Sequence, residues 1–184
     1  MLGKKPFCPP YLQTVNVRTG NNPLGGSVAN AVMEGPSMTN VRLAEAFLQR
    51  AGTRLKALDS LRHEADFSDV VREARDIVEL CFRGMLRLAG IEVPRWLDVG
   101  EVLTQNVARL PAEISAHRTR ILEIYRDLRR RERHFTPADE IPPPAEKLMM
   151  ADADRAISEA EWILGLAQNT LDVAARRKAA PSLA

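Results

Sequence analysis

The stretch 68–98, SDVVREARDIVELCFRGMLRLAGIEVPRWLD, constrains the fold of this chain most. Val70, Val71, Ala74, Ile77, Val78, Cys81, Met85 and Leu88 recur at three- and four-residue steps, which stacks them on one face of a helix. Arg72, Glu73, Asp76, Glu79, Arg83 and Arg87 fall largely between them, and Phe82 widens the apolar face. Ser68 is placed to accept from the free N–H groups of the first turn. Gly90 provides a left-handed stop, and Pro94 forbids continuation. A helix this apolar must be covered over much of its surface, as the central helix of a bundle is.

The segments on either side supply the cover. A first helix is expected from about Asn40 to about His63, capped by Thr39 or Asn40, with Ala44, Phe47, Leu48, Ala51, Leu55 and Leu58 as its stripe. The connection 66–69 is short, so the first two helices should be antiparallel neighbours. Asp98 can cap a short helix to about Gln105, and Trp96 reads as a packing residue under the loop, with stacking on RNA as the second reading. A long helix is expected to begin at Pro111, with Ile114, His117, Ile121, Ile124 or Tyr125, and Leu128 inward and His117 buried. Residues 135–150, with Pro137, Pro142, Pro143 and Pro144, read as an extended connection. It leads to a last helix opened by Asp152 or Asp154 and ending near Lys178, whose face is rich in alanine. The expected fold is all-α: an up-and-down four-helix bundle with one extra short helix.

Residues 1–37 differ from the rest, with five prolines, five glycines, four asparagines and one acidic residue, Glu34. They read as an irregular arm. The favoured account is that Met38 is the natural start; the other is an arm that contacts a partner. The expected organisation is therefore an arm over 1–37, a bundle over 38–178 and a tail over 179–184.

The net charge of +2 in 184 residues makes any nucleic-acid role depend on local clustering. Such clustering occurs once. From Arg118 to His134 seven arginines face only Glu123, Asp127 and Glu132. Arg126, Arg130, Arg131 and Arg133 are the candidates for holding RNA or nucleotide phosphate, because a guanidinium keeps its charge and grips phosphate oxygens in pairs. The plainer reading is a solvated basic helix end. Cys8 and Cys81 are too isolated for a disulfide framework or a zinc site, and Glu73, Asp76 and Glu79 are expected to pair with Arg72, Arg75 and Arg83 rather than hold a metal. No cofactor is expected. No apolar run reaches the ~18 residues of a membrane span, and a cytoplasmic location is expected.

The run VVREARDIVELCFRGMLRLAGIEVPRWLDVGEVL resembles the core of the HEPN domain family, the small helical domains of prokaryotic nucleotide- and RNA-linked systems. The likeness spans about Met38 to about Leu171. It implies a helical bundle, a homodimer, and association with a small nucleotidyltransferase in a toxin–antitoxin type of system. A His commonly precedes the Asp in the family; Leu97 stands there in this chain. Catalytic members carry an Arg-x4–6-His motif for metal-independent RNA cleavage, which Arg129 and His134 match. By that resemblance Arg129 would stabilise charge on the phosphate, His134 would move a proton, and the RNA 2′-OH would attack. The Asn that usually follows the Arg is replaced by Arg130, and Phe135 follows the His. Three readings stay open: an RNA- or nucleotide-binding partner of a nucleotidyltransferase, an endoribonuclease, and a purely structural interaction bundle.

Overall fold

The computed structural model describes residues 37–94, 96–133 and 148–179. The expected arm over 1–37 except Ser37, most of the proline-rich connection, His134 and the tail from 180 onward lie outside them. All regular structure among the described residues is helical: α1 (Met38–His63), α2 (Phe67–Leu88), α3 (Val99–Gln105), α4 (Ala112–Ala116), α5 (Arg118–Arg133) and α6 (Met150–Ala179), with a 3-10 turn at Val107–Arg109. The helices form a bundle, as the periodicity implied.

α2 is the central helix. It packs against α1, α6, α5 and α3. Val70, Val71, Ala74, Ile77, Val78, Cys81, Phe82, Met85 and Leu86 are fully buried. Burial pushes the Cys81 thiol up to about 12, so it stays protonated and behaves as a small apolar side chain. Gly90 has φ +73°, and the N–H of Ile91 bonds back to the carbonyl of Leu86 at 2.8 Å, which closes the helix. A Cβ on Gly84 would lie 3.1 Å from Cδ2 of Leu48, so this glycine lets α1 come close. Ala153, Ala156, Ala160 and Ala167 of α6 are buried, and their small side chains admit the neighbouring helices.

Both early caps differ from expectation. Ser37, not Thr39 or Asn40, accepts from the N–H of Asn40, at 3.2 Å. Asp66, not Ser68, caps α2: its Oδ1 accepts from the N–H of Asp69 at 3.1 Å and from the Ser68 hydroxyl at 3.0 Å. The Asp69 N–H, with Ser68, holds the Asp66 carboxyl below its usual range. The chain reverses at Ala65, with φ 59°, which places Asp66 rather than Ser68 at the helix entrance. Asp98 caps α3 as expected, accepting from the N–H groups of Gly100 at 2.9 Å and Glu101 at 3.3 Å.

The helix expected from Pro111 onward is broken in two. His117 sits in a turn with φ −104° and ψ 8°, between α4 and α5. The Ser115 hydroxyl donates to the carbonyls of Val107 (3.1 Å) and Leu110 (3.3 Å), which ties α4 to the turn before it. His117 is therefore exposed rather than buried, and its ring meets Trp162 edge-on at 5.6 Å. Ile114 and Ile121, on either side of the break, are both buried. Trp96 also departs from expectation, being 83% exposed.

Candidate functional site

The arginines of α5 divide by helical register. Positions 126, 129 and 130 follow i, i+3, i+4 spacing and share one face, whereas position 131 falls toward α6. Arg131 is nearly buried, with 11% of its side chain exposed. It pairs with Asp127, with Glu159 at 3.0 Å, and with the backbone carbonyl of Asp152 at 3.2 Å. Burial alone would raise the Asp127 carboxyl, but Arg131 and Arg130 outweigh it and hold the carboxyl below its usual range. Burial wins at Glu159, whose pKa is raised although Arg131 opposes the shift. Arg131, one of the expected phosphate ligands, is thus engaged in the α5–α6 seam.

Arg129 lies on the other flank. Its Nη1 pairs with Oδ2 of Asp98, and its guanidinium stands 5.6 Å from the centre of the Tyr125 ring. Asp98 thus caps α3 and anchors Arg129 with the same carboxylate. The Tyr125 hydroxyl is 3.1 Å from Oε1 of Glu79 and 3.3 Å from Oδ1 of Asp98. Burial, then the neighbouring Glu79, keeps the phenol protonated by raising its pKa. Arg75 continues the network, meeting Glu79 at 2.7 Å, Asp76 at 2.7 Å and Glu132 at 2.8 Å. Arg54 of α1 holds Glu73 at 3.1 Å and Asp76 at 3.0 Å. Glu73, Asp76 and Glu79 are therefore neutralised by Arg54 and Arg75. Arg72 pairs instead with Asp69, and Arg83 donates to the carbonyl of Val93 at 3.0 Å. Gly100 makes the close approach of α3 to α5 possible, since a Cβ there would collide with the Tyr125 ring.

What remains outward is a basic face. Arg126 is exposed, and no carboxylate pairs with it among the described residues. Arg130 keeps 68% of its side chain exposed while pairing with Asp127. An open groove of about 690 Å³ runs beside them, lined by Arg120, Arg126 and Arg130 together with Glu123, Ile124, Asp127 and Glu159. Arg120 lies over the Trp162 ring at 3.9 Å. Arg133 ends α5, and His134 follows it outside the described residues.

The structure therefore brings Arg126, Arg129 and Arg130 to one face and turns Arg131 away from it. The residues missed by sequence reasoning are those that hold Arg129. Asp98 was legible as a cap and Tyr125 as a stripe residue, but neither carried a sign of its second partner. No helix among the described residues is long and apolar enough to cross a membrane. No curated protein and no solved structure matches the chain. The model of the HEPN domain family matches residues 44–170, from within α1 to within α6.

Proposed function

From the premise that the chain belongs to the HEPN domain family, we propose that it binds RNA or nucleotide phosphate through the outward face of α5. The observation that carries this reading is the sorting of the arginines. Arg126 and Arg130 are exposed beside Arg129; Arg126 has no carboxylate partner among the described residues, and Arg130 shares its one, Asp127, with the nearly buried Arg131. Arg129 gives only Nη1 to Asp98 and keeps further N–H donors for a phosphate. Domains of this family are often RNases or nucleotide-related, and they often dimerise. The same reading makes this chain a homodimer and the partner of a small nucleotidyltransferase in a toxin–antitoxin type of system.

A second reading, metal-independent RNA cleavage, is favoured by the anchoring of Arg129. Asp98 on one side and the Tyr125 ring on the other fix the guanidinium before any phosphate arrives. In that reading Arg129 stabilises charge on the phosphate, and His134 moves the proton as the 2′-OH attacks.

Incubation of the full chain with RNA in EDTA, beside Arg129→Ala and His134→Ala, separates the two. Binding without cleavage supports the first reading. Cleavage lost in both variants establishes the second. Neither binding nor cleavage would overturn both and leave a structural interaction bundle.

A further inference from the structure

We propose that Trp96 is a stacking platform for an unpaired nucleobase, so that the RNA taken by the arginine face is single-stranded. The inference rests on the phosphate-binding reading above and names its substrate class. Trp96 is 83% exposed and Leu97 beside it 45%. An indole held in water forgoes the burial that most tryptophans obtain.

The loop that carries it is anchored at both ends. Arg83 donates to the carbonyl of Val93 at 3.0 Å, and the N–H of Leu97 bonds to the carbonyl of Pro94 at 3.2 Å. Asp98 then caps α3 and pairs with Arg129. The exposed ring thus stands two residues from the carboxylate that holds Arg129, on a loop tied to the bundle on both sides. Trp162, by contrast, is half-buried and already covered by Arg120.

A cationic group that takes phosphate beside a free aromatic face that takes a base is the arrangement by which proteins hold single strands. A duplex offers no base face to stack on.

The test is fluorescence anisotropy with a short unstructured RNA and its duplex, using the full chain and Trp96→Ala, Trp96→Phe and Arg126→Ala. Circular dichroism checks that each variant folds. Trp96→Ala is expected to weaken single-strand binding about tenfold or more and to leave duplex binding and its salt dependence unchanged. Trp96→Phe should restore most of the loss, and Arg126→Ala should weaken both ligands. Single-strand binding unchanged in Trp96→Ala but weakened in Arg126→Ala would overturn the stacking site and leave the phosphate reading standing. Equal loss for both ligands in Trp96→Ala would also overturn it, as would dissociation of an oligomer by that variant in sedimentation, which would make Trp96 a protein contact. No binding of either RNA by the wild-type chain would overturn both proposals.

Discussion

Asp98 combines two tasks in one side chain. It closes the N-terminus of α3 through Oδ1 and restrains Arg129 through Oδ2. Asp98→Ala should lose both and lower stability by about 1–2 kcal/mol, whereas Asp98→Asn, which still caps, should lose less. Urea denaturation at neutral pH measures the difference. The cap was legible because a capping residue shows itself by its place before a short apolar run. The pairing with Arg129 was not, since it depends on how α5 lies against α3, which nothing near residue 98 encodes. The caps of α1 and α2 show a related ambiguity. Asp66 and Ser68 are both able to cap, and only the reversal at Ala65 decides between them. Trp96 was read as buried because large aromatics usually are; its exposure is set by a loop that the bundle anchors on both sides.

At the scale of the element, α2 was the most legible part of the chain, because its apolar period is long and its stop at Gly90 and Pro94 is explicit. The break between α4 and α5 was hidden. Ile114, His117 and Ile121 continue a helical period, and no glycine or proline stands at the break. It follows from the bonds that the Ser115 hydroxyl donates to carbonyls of the preceding turn. The arginines of α5 were visible as a cluster but not as two populations. The seam arginine and the outward arginines should separate by stability. Arg131→Ala should cost about 3 kcal/mol, because it leaves Asp127 and Glu159 without their shared partner in a partly buried seam. Arg126→Ala and Arg130→Ala should each stay within about 0.5 kcal/mol of wild type. Thermal or denaturant unfolding of the three variants tests this. The seam also has a pH signature. Asp127 is protonated at lower pH in the folded chain than in the unfolded one. Its contribution is therefore present above the unfolded carboxylate value of about 3.9 and is lost as pH falls through the folded value. Glu159 has the opposite sign: its raised pKa means that acidification relieves a buried charge. Asp127→Asn should be less stable than wild type at pH 7 and should lose less stability below about pH 4.

For the whole molecule, the bundle expected from four amphipathic segments is the one observed, and its family membership follows from a match over most of the bundle. The proposed function rests on a much smaller part of the surface. The net charge of +2 is too near balance to draw RNA to the molecule as a whole, so the proposed binding rests on the local cluster on α5, where Arg126 has no carboxylate partner among the described residues and Arg130 stays largely exposed. That makes salt dependence the most direct probe. Affinity for a single-stranded RNA should be measured across a salt series for the wild-type chain and for the Arg126→Ala/Arg130→Ala double variant. Each phosphate contact contributes about 0.7 to the slope of log affinity against log salt for single strands, so the double variant should lose about 1.4 of that slope along with affinity. A double variant with the affinity and slope of the wild type would contradict the account and move the phosphate site away from α5.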